Sequence, residues 1–164
     1  MIPIISVVGW SDSGKTTYLE RLIPELTRRG YRICAVKHDV HGFEIDTPGK
    51  DSWRLKRAGA AVSVVSAPDR IAVVADTDHD LTLAEIRERF ISNVDIIISE
   101  GFKKDVHPKI EVFRKGIRNA LLCTAADRLI AVASDCPIET DAPVIDLADV
   151  GAMADLIEEE VMNA

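Results

Sequence analysis

Short apolar runs that end in glycine or a polar side chain alternate along this chain with segments whose apolar residues recur every three to four positions. Residues 4–8 (IISVV), closed by Gly9, are predicted to form a buried strand. From Gly14 onward, Leu19, Leu22, Ile23 and Leu26 fall on one helical face, and Gly30 is a natural stop. Pro24 lies inside that helix, where a proline removes a hydrogen bond and crowds the preceding turn, so a kink or early end is expected. A second strand is predicted over 32–36, a polar loop over 39–50 and a short helix over 52–58. The β-branched runs 62–66 and 71–75, separated by Ala-Pro-Asp-Arg, predict a hairpin. Thr82-Leu-Ala-Glu85 has capping-box form and opens a helix with Leu83, Ile86 and Phe90 on one face. Residues 94–99 (VDIIIS) are the most continuous apolar run, as expected of a central strand buried on both sides. Further strands are predicted at 109–113 and 129–133. Residues 149–162 are predicted to be helical, with Val150, Ala154, Ile157 and Val161 inward.

This alternation predicts an α/β fold: a mainly parallel sheet with helices on both faces and a β-hairpin extension. Such sheets bind ligands beyond the carboxyl ends of their strands. Gly9, Lys37-His38, Glu100 and Asp135 all stand just past predicted strand ends. The 164 residues suit one domain spanning 1–164. The net charge of −7 disfavours nucleic acid as the main partner. The basic residues concentrate in the same two-thirds as the motifs: residues 119–164 hold one Lys/Arg against ten Asp/Glu, read as a solvated helix face. Cys34, Cys123 and Cys136 lack the paired spacing of a disulfide framework. The start has no basic segment of the signal-peptide type, and no apolar run approaches the ~20 residues that cross a bilayer. A reducing, cytoplasmic setting without membrane contact is expected.

Residues 9–16, GWSDSGKT, match the phosphate-binding pattern G-x-x-x-x-G-K-[ST] between a predicted strand and helix. The pattern has a physical logic. Gly9 and Gly14 permit tight turns, and Trp10, Ser11, Asp12 and Ser13 carry backbone N–H groups that can converge on one anion. The helix N-terminus adds the N–H groups of Lys15, Thr16 and Thr17 and a positive dipole end. Lys15 reaches the β and γ phosphates, and the Thr16 hydroxyl is a Mg²⁺ ligand. The loop is therefore expected to hold the phosphates of a nucleoside triphosphate.

The remaining strand ends supply candidates with open alternatives. Run 94–99 leads to Glu100, placed as a Walker-B acid that reaches Mg²⁺, or as an exposed turn glutamate. Asp95 starts that run and is expected far from the site. Lys37-His38-Asp39-Val-His41 offers a His-x-x-His pair, either a metal site or a contact with an anionic ligand. Asp46 could help hold Mg²⁺ or water. Lys50, Asp51, Ser52 and Arg54 follow, with Lys50 and Arg54 spaced to face one anion or simply solvent. Lys103, Lys104, His107 and Lys109 extend what is expected to be a cationic rim with Lys15, Lys37, Lys50 and Arg54. Asp135 after the 129–133 run could accept hydrogen bonds from guanine or cap a turn; the usual Asn-Lys-x-Asp is absent.

In this order and spacing, GWSDSGKTT, KHDVH, GKDSWRLKRAGA and DIIISEGFK resemble the MobB family, over about residues 2–135. That resemblance implies a three-layer P-loop NTPase fold and a GTP-binding adapter in molybdenum cofactor biosynthesis. Such a protein assists the MobA-like guanylyltransferase that attaches GMP to molybdopterin, and the resemblance extends its expected partners to molybdoenzymes. It implies GTP and Mg²⁺ as ligands, a homodimer and weak hydrolysis at most. By the same carry-over, residues 9–17 bind the GTP phosphates, Thr16 and Glu100 hold Mg²⁺, and Asp135 is the candidate base reader. The His38 and 50–54 region with Lys103 would face molybdopterin or the partner. Some relatives carry a lysine after the first loop glycine, where this chain has Trp10. No strong general base or arginine finger stands out. A small-molecule kinase and a metal-delivery GTPase using His38 and His41 are the competing expectations.

Overall fold

Five of the predicted strands, and one three-residue strand that the pattern missed, hydrogen-bond side by side into a parallel sheet in the computed structural model, which describes residues 1–163. In chain order the elements are β1 (Ile4–Val8), α1 (Lys15–Arg28), β2 (Ile33–Lys37), α2 (Asp51–Arg57), β3 (Val62–Ala67) and β4 (Arg70–Ala75). Then follow α3 (Leu83–Phe90), β5 (Ile96–Glu100), β6 (Lys109–Phe113), β7 (Leu129–Ser134), β8 (Val144–Asp146) and α4 (Val150–Ile157). The chain divides into two compact units, residues 39–81 and the rest.

The larger unit holds the sheet, in the order β2-β5-β1-β6-β7-β8, every pair parallel. Alternation along each strand sorts the core into two faces. Ile5 and Val7 of β1, Ile96 and Ile98 of β5 and Ile110 and Val112 of β6 pack with Leu22 and Leu26 of α1 and Met153 and Ile157 of α4. Ile4 and Ile97 point the other way, onto Leu83 of α3. Beside them, Val8, Phe113, Leu129 and Val132 are covered by the segments around 121–123 and 136–142, not by a helix. The continuous isoleucines of β5 are explained by this double burial, with β1 and β2 on its two edges. The mainly parallel α/β sheet is the one the alternation predicted, and it is the P-loop NTPase fold that the family resemblance implied.

Several local expectations change. Helix α1 runs through Pro24 to Arg28. Pro24 is solvent-exposed, so the carbonyl it leaves unpaired can bond water, while fully buried Leu22 and Leu26 hold the helix to the sheet. Phe90 is 54% exposed, because burial fades along α3 from Leu83 to its last turn. Strand β8 was hidden by its length and by the adjacent Pro143, whose carbonyl accepts the Val132 N–H at 2.9 Å. The acidic C-terminal segment is partly engaged in ion pairs: Arg29, the C-cap of α1, binds Asp155 at 2.6 Å and Glu158 at 3.0 Å. After α4 the helix widens into a π turn over Glu158–Met162, which buries Val161.

The smaller unit comprises the 39–50 loop, α2 and the antiparallel β3–β4 hairpin. Lys56 of α2 pairs with Asp76 at 2.7 Å, and Ser63 Oγ of β3 donates to the Ser52 carbonyl at 3.3 Å. Val64, Val65, Ile71 and Val73 of the hairpin are all about half exposed or more.

Candidate functional site

The loop after β1 turns because two glycines take backbone angles closed to other residues. Gly9 has φ +145° and Gly14 φ +86°. Crowding adds to the requirement: a Cβ at Gly9 would lie 2.5 Å from the Val112 carbonyl and 2.8 Å from Ser13 Oγ. Asp12 also adopts φ +64°, a left-handed conformation that Asp tolerates better than most residues. Gly14 is the N-cap of α1 and offers no side-chain acceptor, and the first turn carries no acidic residue. The first-turn N–H groups are thus left to an external anion. Ser13 Oγ is buried with no hydrogen-bond partner among the described residues, a group that a ligand in the loop would satisfy. Lys15 Nζ lies on the loop, donating to the carbonyls of Gly9 at 3.1 Å and Trp10 at 2.9 Å. These features fit a phosphate chain.

The parallel register brings the acid to the loop. Glu100 ends β5 opposite Val7 of β1 and Lys37 of β2. Its Oε2 accepts from the Thr16 hydroxyl at 2.7 Å and its Oε1 from Lys37 Nζ at 2.9 Å. Partial burial pushes the Glu100 carboxyl up, but the hydrogen bonds from Lys37 and Thr16 outweigh it and hold the group below its ordinary value. It is therefore ionised at neutral pH. A carboxylate in contact with the P-loop hydroxyl is a suitable oxygen pair for a hard divalent cation such as Mg²⁺. Asp95, at the opposite end of β5, instead accepts the Arg32 N–H at 2.7 Å.

Around this centre the other candidates take distinct places. His38 follows β2, donates its N–H to the Glu100 carbonyl at 3.0 Å and stacks on Phe102 with ring centroids 4.4 Å apart. Phe102 adopts φ +54°, an uncommon conformation for a bulky residue, directly after Gly101 at φ +99°. Lys103 is exposed in the next turn. Asp135 follows β7, and its Oδ1 accepts the Lys115 N–H at 3.0 Å. Lys109 is not part of a rim: it is 1% exposed, and its ammonium donates to the carbonyls of Asp105, His107 and Asp127. On the same side of β6, buried Glu111 accepts the N–H groups of Leu122 at 2.7 Å and Cys123 at 2.9 Å.

His41, Asp46, Lys50, Asp51, Ser52 and Arg54 belong to the smaller unit. Asp46 Oδ1 accepts from the Thr47 N–H at 2.8 Å and from Ser52 Oγ at 3.1 Å, which organises the approach to α2. Arg54 reaches Asp51 at 3.5 Å across the helix surface. Among the described residues no group of three or more His, Cys, Asp or Glu is arranged to hold a metal ion by itself, and no helix is long and apolar enough to cross a membrane. The cysteines are free thiols, with Cys123 buried.

Sequence reasoning missed the segment after β6. Trp10 Nε1 donates to the Ala120 carbonyl at 3.1 Å, and the Arg118 guanidinium lies 5.0 Å from the Trp10 ring centroid. Arg114 packs on Gly14. The one available signal was the basic cluster RKGIR directly after a strand.

The family model of molybdopterin guanine dinucleotide synthesis protein B matches residues 4–135. The chain is 40% identical over 163 residues to the molybdopterin-guanine dinucleotide biosynthesis adapter protein of Escherichia coli (strain K12), covering 97% of this chain and 93% of that protein. It is 36% identical to the protein of the same name from Haemophilus influenzae, covering 96% and 88%. Among solved structures, Bacillus subtilis MobB superposes with a TM-score of 0.77 at 30% identity, covering 99% of both chains.

Proposed function

The chain belongs to the MobB family, and from that premise we propose that it is a GTP-binding adapter in molybdopterin guanine dinucleotide biosynthesis. In this reading it assists a MobA-like guanylyltransferase and hydrolyses GTP weakly if at all. The observation that carries the proposal is the joined site of β1 and β5. A glycine-rich loop with unclaimed N–H groups and a buried, partnerless Ser13 hydroxyl stands beside the Thr16–Glu100 pair. The loop N–H groups and Lys15 bind the phosphates, Lys15 leaving the loop carbonyls to do so. Thr16 and Glu100 would hold Mg²⁺, which when bound neutralises phosphate charge. Lys37 keeps Glu100 ionised and oriented. Asp135, at a strand end of the same sheet edge, is the proposed guanine reader; its carboxylate already accepts an N–H, from Lys115. Lys37, His38 and Lys103 of the larger unit are proposed for molybdopterin or the partner, and so, separately, are His41, Lys50, Asp51, Ser52 and Arg54 of the smaller unit. Asp46, in the smaller unit, is proposed to hold a divalent cation or water.

We also propose that the protein is a homodimer working in the cytoplasm. A two-stranded hairpin with half-exposed valines and isoleucine is marginal in water without further cover, which supports self-association.

Calorimetric titration of the full chain with GTP and with ATP, each with Mg²⁺ and with or without molybdopterin, tests the proposal. Tight GTP with weak ATP is the expected result. Equal affinity would remove the guanine reading, and formation of a phosphorylated acceptor in step with diphosphate would replace the adapter by a kinase.

A further inference from the structure

Strand β6 lies beside β1 and ends at Phe113, so the next residue emerges next to the P-loop. That residue is Arg114. A Cβ placed on Gly14 would stand 3.2 Å from Arg114 Nε, 3.4 Å from Nη2 and 3.5 Å from Cζ. Three atoms of the planar head at nearly equal range mean that the guanidinium, not its alkyl stem, lies on the glycine. Any larger residue at 14 would push it away.

This placement is electrostatically unusual. Gly14 opens α1, so the guanidinium sits at the positive end of a helix dipole, near Lys15, with Lys115 and Arg118 in its own segment. Among the described residues no carboxylate pairs with Arg114. Yet the segment is fixed rather than loose. Lys115 N–H is held by Asp135, Trp10 is tied to Ala120, and Glu111 holds the N–H groups of Leu122 and Cys123. The chain thus holds a guanidinium with no paired carboxylate at the N-terminus of α1, although Asp12 and Asp135 lie in the neighbouring segments, and a bound phosphate there would supply its partner.

We propose that Arg114 is a phosphate-contacting residue: it adds, from within the same chain, a charged donor to the nucleotide held by the loop. This rests on the P-loop reading above. The predicted ligand chemistry is a nucleoside di- or triphosphate. Arg114 would add affinity through charge, and its planar head would orient the phosphate oxygens.

The test compares wild type, Arg114→Gln, Arg114→Lys and Lys15→Ala, titrated calorimetrically with GTP and GDP in Mg²⁺ buffer at two salt concentrations. The expected result for Arg114→Gln is a loss of about tenfold or more for both nucleotides, the size of one charge-assisted hydrogen bond. Its salt dependence should be shallower than wild type, its melting temperature unchanged, and Arg114→Lys should recover part of the affinity. Affinity of Arg114→Gln within twofold of wild type would overturn the proposal. So would equal losses in the Gln and Lys variants with unchanged salt dependence, since that pattern belongs to a residue that merely props the loop. Arg114→Met, which keeps the stem without the charge, replaces the Gln variant should that one not fold. Failure of folded wild type to bind GTP, or equal binding by Lys15→Ala, would instead bring down the P-loop reading itself. Loss in Lys15→Ala alone leaves that reading intact and removes only Arg114.

Discussion

Two segments of this chain look alike on paper: the loop GWSDSGKTT of the larger unit and the stretch TPGKDSWR of the smaller one. Both put glycine and lysine before a helix with hydroxyl and acidic side chains around them. The structure separates them by crowding. Gly9 has a carbonyl and a hydroxyl within 2.8 Å of where a Cβ would be, and Gly14 has a guanidinium against it. Gly42, Gly49 and Gly59 also take positive φ, but a Cβ on any of them would meet nothing within 4 Å. Positive φ marks a turn in both places, whereas the close approach of neighbours marks a cradle in only one. The helices differ likewise. α1 buries Leu19, Leu22 and Leu26, while α2 has no buried residue.

Mutations can break or sharpen that contrast. The largest stability effect is expected from the sheet itself. Ile98→Ala, at a fully enclosed position of β5, should lower unfolding free energy by about 2–5 kcal/mol in a denaturant titration. Its counterpart Val64→Ala, on a half-exposed hairpin position, should cost well under that, about 1 kcal/mol or less. Near-equal losses would mean that the hairpin is covered in solution. Gly9→Ala should cost roughly 3 kcal/mol, from strain at positive φ together with displaced neighbours, and should abolish GTP binding. Gly42→Ala should cost roughly 1–2 kcal/mol from the backbone alone and leave GTP binding unchanged.

A smaller effect separates the charges. Burial pushes the Glu111 carboxyl above its ordinary 4.5, against the opposing hydrogen bonds of Leu122 and Cys123. A raised folded value means that Glu111 favours folding most below the unfolded value, and that this contribution declines as pH rises through the folded value. The stability of wild type relative to Glu111→Gln should therefore fall as pH is raised from about 4.5 toward neutrality. A gap that widens over this range would contradict the sign. The smallest stability change is expected from Val64→Thr with Val73→Thr, cross-strand partners in the hairpin, within about 0.5 kcal/mol for exposed positions. If the hairpin joins two copies, the same double variant should shift the protein toward monomer in light scattering; an unchanged mass would place the dimer contact elsewhere.

Much of the candidate site was legible because it is local. The P-loop is contiguous, its φ > 0 positions fall on glycine and aspartate, and its strand and helix announce themselves by periodicity. Glu100 was legible because an apolar run ending in an acid points it out. Lys109 was misplaced because a lysine in a sequence carries no sign of the carbonyls that will surround it. Arg114 was passed over because nothing in RKGIR says that β6 will lie beside β1. His38 stacking on Phe102, and the hold of Asp135 on Lys115, depend in the same way on strand order.

What the sequence determined by itself, then, is whatever a few consecutive residues decide: hydrophobic period, turn glycines, capping boxes and a loop of N–H donors. What only the tertiary structure decided is which strand ends become neighbours. Parallel strands pair residues far apart in the chain, such as Thr16 with Glu100 and Gly14 with Arg114. That pairing is set by which faces bury together, a sum over the whole sheet that no local window contains.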